Sequence, residues 1–136
     1  MASCGPGGLS AALAAARAGV SVTLVERFGC FGGNITAVGV EGFAWYRHEG
    51  TIDSEGIDRE FENRAIEMGA TAPEPKSDSH TLDGEAFKVV ADNMVLEAGI
   101  MPILHRCFVA LVMEGKRIKG IITESKAGRE AILGGE

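Results

Sequence analysis

The chain has 136 residues, a formal net charge of −6 and nineteen glycines, about double the usual glycine share. Its length accommodates one domain, and its acidic balance argues against a nucleic-acid or anionic-membrane surface, which needs clustered Lys and Arg. Three widely spaced cysteines form neither a disulfide framework nor a zinc-ligand pattern. We therefore expect a reducing, cytoplasmic location and no metal site.

The first third of the chain predicts one helix, one strand and a glycine-rich loop. Residues 9–18 are almost all Ala and Leu, and Gly19 follows where a left-handed helix cap would lie. Residues 20–25 are a mostly β-branched run of the kind buried in parallel sheets, and they end at Glu26. Residues 27–50 lack periodicity, so we expect an ordered loop in which function concentrates.

The remainder predicts two helices and several strands. One helix begins at Asp53 or Ser54 and ends at Gly69, with its apolar positions at helical spacing. Residues 71–83 are polar and contain two prolines, which predicts a loop, and a second helix then ends at Gly99. Strand-like runs occupy residues 100–104, 107–113, 117–125 and 130–133, and the last three predict an antiparallel meander.

A glycine-rich turn precedes the Ala-rich helix. Residues 3–8 have the sequence Ser-Cys-Gly-Pro-Gly-Gly, which matches a G-x-G-x-x-G turn at its second and third glycines. The pyrophosphate of a dinucleotide needs bare backbone and a helix N-terminus at this position. Gly5 would let the backbone approach the phosphates, and Gly8 would let the helix pack closely on the sheet.

An acidic residue follows at the distance that this site requires. Glu26 ends the predicted strand 21 residues after Gly5, where a carboxylate accepts hydrogen bonds from a ribose diol and disfavours the 2′-phosphate of NADP. A plain helix-start turn and a solvated strand-end charge would explain the same residues. The order of turn, helix, strand and acid favours a dinucleotide site. We expect replacement of Glu26 to weaken dinucleotide binding with little effect on folding, because the residue ends a strand.

Residues 26–36 have the sequence Glu-Arg-Phe-Gly-Cys-Phe-Gly-Gly-Asn-Ile-Thr. This segment resembles the signature of FAD-dependent oxidoreductases of the glutathione-reductase-like FAD superfamily, in which Glu-Arg is followed by a glycine pair and Thr. The likeness is closest to the broad group called simply FAD-dependent oxidoreductases, and it extends through the helix at 85–99 and the meander.

The resemblance implies an α/β, Rossmann-like FAD-binding fragment with a helical insertion and an antiparallel β-meander. It implies an oxidoreductase that transfers hydride or electrons between an organic substrate and FAD. The residues expected along the cofactor, the last through backbone atoms near the adenine, are Gly5, Pro6, Gly7, Gly8, Glu26, Arg27, Gly32, Gly33, Thr36 and Val109.

The resemblance also predicts how the chain is organised. We expect one partial FAD-binding domain over residues 1–136, in which 1–36 form a dinucleotide-binding unit lacking most of its first strand. Residues 37–99 form a loop and two helices, and 100–133 form strands and the meander. The family pattern has a fuller first strand and a later strand with an Ala-Thr-Gly-Asp motif, so we expect a truncated or split product that binds FAD poorly alone. Exposed sheet edges predict association with another copy or with a complementary chain.

Two other functions stay open, a non-catalytic nucleotide-binding module and an inactive remnant. The sequence indicates neither the substrate nor a catalytic residue, since in flavoenzymes the isoalloxazine carries the redox chemistry. The apolar run at 9–18 is too short to span a bilayer, so no membrane partner is expected.

Several chemically able side chains have plainer interpretations. We interpret Cys4, Cys30 and Cys107 as packing residues, since the cysteine pair of disulfide reductases is missing after the glycines. For residues 45–48, Trp-Tyr-Arg-His, we favour a loop packed by its own aromatics over a flavin-facing or anion-binding site. We expect a solvated His80, and His105 is interpreted as a strand-end histidine.

Overall fold

The structure is a computed structural model that describes residues 2, 4–43, 47–48, 50–53, 55–75 and 79–135, with the backbone alone for residues 47–48. The described residues form three helices, α1 Pro6–Arg17, α2 Ile57–Glu67 and α3 Gly84–Glu97. The strands are β1 Thr23–Val25, β2 Gly42–Phe43, β3 Arg47–His48, β4 Thr51–Ile52, β5 Thr71–Pro73, β6 His80–Leu82, β7 Met101–Ile103, β8 Cys107–Glu114, β9 Arg117–Ser125 and β10 Gly128–Leu133.

A short parallel sheet positions the site. Strands β1 and β7 pair in parallel, and Ala2 forms one parallel bridge with Val25 on the other edge of β1. The pairing continues past β1, because the Glu26 N–H donates to the Ile103 carbonyl and the Arg106 N–H donates to the Glu26 carbonyl, each at 2.9 Å. The carboxyl ends of the two strands therefore lie side by side.

The other sheets are antiparallel. Strands β8, β9 and β10 form the expected meander, β2, β6 and β5 form a second sheet in that order, and β3 pairs with β4. This mixture of parallel and antiparallel sheets with helices confirms the predicted α/β fold class. None of the helices in the described ranges is long and apolar enough to cross a membrane.

The core lies between the helices and the parallel sheet. The start of α3 is fixed by Asp83, whose carboxylate accepts the N–H groups of Glu85 and Ala86 at 2.9 and 3.1 Å. The apolar face of α3 recurs every three or four residues, so one side of the helix is buried. The buried side chains of α3 include Phe87, Val90, Met94 and Val95. In the core they join Leu9 and Leu13 of α1 and Leu24 of β1.

The starts of β1 and α2 differ from the expectations. Strand β1 begins at Thr23, and Val20 is exposed. Helix α2 begins after Gly56, while Asp53 accepts a hydrogen bond from the Thr51 hydroxyl at 3.2 Å; Ser54, the other expected start, lies outside the described residues. A local turn therefore uses the carboxylate that was expected to cap the helix.

The prediction of a loop at residues 71–83 was wrong, because this segment contains β5 and β6. Pairing with β2, and a hydrogen bond from the Thr81 hydroxyl to the Ala72 carbonyl, order a segment whose composition is polar. The expectation that His80 is solvated was also wrong. Its ring is half-buried, and its Nδ1 lies 3.1 Å from Oε1 of the fully buried Glu62 carboxylate.

An ion-pair network joins the three helices at their surface. Arg17 donates two hydrogen bonds to the Glu60 carboxylate, at 2.6 and 2.9 Å, and Arg64 contacts Glu60 and Glu97 at 3.0 and 2.7 Å. The hydrogen bonds from Arg17 hold the pKa of Glu60 below its usual range. The network thus fixes α2 between α1 and α3.

Replacing Glu60 with Gln is expected to lower the free energy of unfolding near neutral pH by about 0.5–1 kcal/mol, the usual worth of partly exposed ion pairs. Because the folded-state pKa is depressed, this stability is present above the ordinary Glu pKa of about 4.3 and is lost as the pH falls through the folded-state value. Urea unfolding near pH 7 and near pH 3 measures both effects. Glu67→Gln, an exposed position on the same helix, is the control, and an equal loss there would contradict the role of the network.

Candidate functional site

The N-terminus of α1 is free of side-chain caps within the described residues. Gly5 is the N-cap residue and Pro6 the first helical residue, and no carboxylate lies in the first turn. Proline has no N–H and is suited to this position, while the next backbone N–H groups lack intrahelical acceptors. The helix start therefore offers N–H groups and a partial positive charge to an anion.

The Glu26 carboxylate is fixed by backbone. Its Oε2 accepts the Cys4 N–H at 2.8 Å and its Oε1 accepts the Phe28 N–H at 2.9 Å. The residue is 6% exposed, so these bonds offset much of the cost of burying a charge. A carboxylate has about four lone-pair sites, which leaves acceptor capacity for two hydroxyl groups.

The glycine pair at 32–33 packs against the turn at residues 4–8, which is called the phosphate turn because the sequence motif assigns it to a pyrophosphate. A Cβ on Gly33 would lie 2.7 Å from the Gly5 Cα, and Gly33 has a φ of 52° in the left-handed region. The N–H of Gly32, whose φ is 104°, donates to the Cys4 carbonyl at 2.9 Å. Close approach and backbone conformation both require glycine at these positions.

A cavity of about 500 Å³ lies where these groups meet, at the carboxyl ends of β1 and β7 and beside the start of α1. This is the place where open parallel sheets bind ligands. Below, this cavity is called the cofactor groove. Its lining includes four of the residues expected along a cofactor, namely Gly5, Glu26, Arg27 and Gly33.

Two cations contribute to the groove. The Arg27 guanidinium carbon lies 4.5 Å from the centre of the Phe28 ring. The Arg106 side chain is 20% exposed, and its Nη1 lies 2.5 Å from a Glu130 carboxylate oxygen. Both residues line the groove, and because Arg106 is paired with Glu130, the net positive charge beside the buried Glu26 comes from Arg27.

The remaining expected residues lie around the groove rather than in its lining. Pro6, Gly7 and Gly8 form the first turn of α1, and Pro6 and Gly32 line a second cavity described below. The Thr36 hydroxyl donates to the Phe31 carbonyl at 2.5 Å, which stabilises the turn around the glycine pair. Its predicted place along the cofactor stays a prediction.

Val109 occupies a β-bulge. The pairing of β8 with β9 passes from Phe108 opposite Thr123 to Ala110 opposite Ile122, so Val109 is the extra residue. Cys107 and Phe108 line the groove instead. A bulge releases backbone groups from the ladder, as the predicted contact with adenine requires. That contact stays a prediction.

The three cysteines have different environments. Cys4 is fully buried, and burial, together with the charge and hydrogen bond of Glu26, raises the pKa of its thiol; this agrees with a packing role. Cys30 is half-buried, with its sulfur 3.6 Å from the Thr36 hydroxyl. The interpretation of Cys107 as a packing residue was wrong, because it is exposed at the groove.

His105 ends the parallel pair, as expected, but in the left-handed region, with a φ of 56°. Its N–H donates to the Phe28 carbonyl at 3.1 Å, and its ring occupies the space that a side chain on Gly29 would need. The expectation for residues 45–48 falls partly outside the described residues. Trp45 and Tyr46 lie outside them, and only backbone is described for the other two.

The sequence prediction missed eight residues that line the groove, and these are Ala2, Val25, Phe28, Asn34, Val38, Arg106, Cys107 and Phe108. A signal was available for the last three. They follow a predicted strand, and the carboxyl ends of adjacent parallel strands meet at one edge of a sheet. The missing information was that β7 neighbours β1.

The parallel strands, the groove at their carboxyl ends and the uncapped helix start define a dinucleotide-binding α/β protein of the Rossmann type. The family model described as FAD dependent oxidoreductase matches residues 4–135. The chain therefore belongs to the FAD-dependent oxidoreductase family, and FAD is confirmed as the cofactor. No curated protein matches the chain.

Solved structures show the same fold at low sequence identity. THI4 of Thermovibrio ammonificans is 16% identical with a TM-score of 0.65, over 97% of this chain and 52% of that one. A geranylgeranyl bacteriochlorophyll reductase-like protein of Thermoplasma acidophilum is 16% identical with a TM-score of 0.66, over 97% and 36%. CabE, an aromatic hydroxylase from angucycline biosynthesis, is 16% identical with a TM-score of 0.63, over 96% and 28%. The chain thus spans about half the length of these proteins or less.

The contacts of Glu26 change the expectation for its replacement. Glu26→Ala would leave the buried N–H of Cys4 and that of Phe28 without their acceptors, so we expect the free energy of unfolding to fall by about 1–3 kcal/mol. Denaturant unfolding measures the change. Glu114→Ala, which also ends a strand but is exposed, is the control; equal stability of the two variants would show that the Glu26 bonds contribute nothing to folding.

Gly33→Ala tests the close approach of the two turns. We expect it to destabilise the protein by more than Gly115→Ala, because both positions have positive φ but only Gly33 has backbone within 4 Å of an added Cβ. Gly115→Ala reports the conformational strain alone, about 1 kcal/mol or more. Thermal unfolding of the two variants separates the terms, and matched melting temperatures would exclude a specific contact between Gly33 and Gly5.

Proposed function

We propose that this chain forms the part of a flavin-dependent oxidoreductase that holds the adenosine and pyrophosphate of FAD. The parent activity would be transfer of hydride or electrons between an organic substrate and FAD, which supplies the redox chemistry when bound. The observation that carries the proposal is the buried Glu26 carboxylate, which is fixed by two backbone N–H groups and lies at a groove beside an uncapped helix start.

Each group in the groove has a task in this proposal. Glu26 accepts hydrogen bonds from the ribose hydroxyls with its remaining lone pairs, and its charge disfavours a phosphorylated ribose. The first turn of α1 receives the pyrophosphate, and the cation of Arg27 offsets part of its charge. Gly5 and Gly33 keep side chains out of the path of the phosphates.

We also propose membership of the glutathione-reductase-like FAD superfamily. Support comes from the glycine pair at 32–33, which follows Glu26 and Arg27 and packs on the phosphate turn. That packing connects the two parts of the sequence signature in space. It gives a physical reason for their spacing in the chain.

Mass spectrometry of ligand released by heat, together with calorimetric titration of the chain with FAD and ADP, tests the proposal. We expect any dinucleotide that is recovered to be FAD, and Glu26→Gln to weaken binding of FAD and of ADP by about tenfold, since loss of one charge-assisted hydrogen bond is worth roughly 1.5 kcal/mol. Gln keeps one oxygen acceptor, so the fold is disturbed less than by Ala.

The control for binding is Glu114→Gln, an exposed carboxylate that does not line the groove. A nicotinamide dinucleotide recovered without flavin would contradict the proposal. So would an affinity for FAD that is the same in Glu26→Gln as in the original chain. Binding of ADP with no gain from the flavin half would favour a nucleotide-binding module.

A further inference from the structure

A second cavity lies on the other side of the glycine turn. It has a volume of about 290 Å³ and shares Asn34 with the cofactor groove. Its walls come from the start of α1, from residues 40–43 and from the first two turns of α2 and α3. Gly32 lies between the two cavities, so a ligand here would be next to a cofactor in the groove.

The inner wall of this cavity is aromatic. The ring centres of Phe61 and Phe87 lie 5.4 Å apart, and those of Phe43 and Phe87 lie 6.0 Å apart in an edge-to-face arrangement. Phe61 and Phe87 are buried in the core, which holds their rings in place. Fixed aromatic rings bind flat apolar groups, and their faces also attract cations.

Among the described residues that line the cavity, Asp58 alone carries a formal charge, on its carboxylate. It accepts a hydrogen bond from the Ser10 hydroxyl at 3.2 Å, and within the described residues it forms no ion pair. The neighbouring cations on α2 are engaged elsewhere, since Arg59 pairs with Glu62 and Arg64 pairs with acids on α2 and α3. The rim therefore favours a cation and disfavours an anion.

We propose that this second cavity binds a small hydrophobic amine, with its ring on the phenylalanine wall and its ammonium group at Asp58. The volume is at the lower end for small-molecule sites, which suits a ligand with one ring. That this amine is the substrate rests on the proposed flavin function. That the cavity binds the amine does not depend on the flavin function.

The plain alternative is that Asp58 only connects α1 to α2 through Ser10 and stabilises the start of α2. In that case its charge has no effect on ligand binding. The two roles are separable by ligands of one shape and different charge. Benzylamine, benzyl alcohol and benzoate form such a set.

The experiment is an NMR titration of the chain with these three probes. We expect saturable binding of benzylamine, weaker binding of benzyl alcohol and none of benzoate. Asp58→Asn is expected to weaken benzylamine binding by about tenfold while leaving benzyl alcohol unchanged, since it removes only the charged partner. Phe43→Leu is expected to weaken both neutral and cationic probes, because it removes part of the ring wall.

The control is Glu67→Gln, an exposed acid of the same helix outside the cavity, which should leave all three probes unchanged. Equal benzylamine affinity in Asp58→Asn and the original chain overturns the proposal, and so does an absence of saturable benzylamine binding. Competition from FAD but not from ADP would assign the cavity to the flavin ring and would also overturn it. If the original chain binds benzylamine but not FAD, the flavin function is contradicted and the amine site stays supported.

Discussion

Glu26 joins three segments of the chain through hydrogen bonds of its side chain and of its backbone. The side chain accepts the N–H groups of Cys4 and Phe28, and the backbone of Glu26 pairs with the residues at the end of β7. The phosphate turn, the end of β1 and the end of β7 are therefore held at one point. Because the carboxylate is buried, each bond is stronger than it would be in water, and loss of either leaves an unsatisfied group. The groove has its shape because this junction is fixed.

The same junction determines which nearby groups are reactive. Deep burial and the negative charge of Glu26 raise the pKa of the Cys4 thiol, so this cysteine of the phosphate turn remains protonated and acts in packing. The groove has instead two positive groups at its edge, Arg27 and Arg106, together with the partial charge of the α1 N-terminus. A buried acid in a groove that also contains Arg27 and an uncapped helix start would suit a ligand with hydroxyl groups at one end and phosphates beside them.

The parts of the fold that depend on local sequence could be predicted. Helix α1 follows from its Ala and Leu content and α3 from its apolar spacing, each with a glycine at its end, and the meander follows from strand-like runs with short turns. Strands β5 and β6 could not be predicted, because β6 pairs with β2, which is distant in sequence, and β5 pairs with β6 across a polar connection. For the site, the motif identified Glu26 and the glycines, but the buried acceptors of Cys4 and Phe28 and the place of Arg106 depend on which strands are neighbours.

The glycine pair explains how one turn serves two cavities. Gly33 packs on the Cα of Gly5 and closes one side of the cofactor groove, while a side chain on Gly32 would meet Thr36 and the ring of Phe87 in the wall of the second cavity. Gly32 and Gly33 both have positive φ and are adjacent in the chain. The shape of each cavity therefore depends on the conformation of both glycines. A larger residue at either position would push the turn into one cavity or the other. The separation between the two cavities is therefore set by two glycines and by the Cys4 carbonyl that accepts the Gly32 N–H.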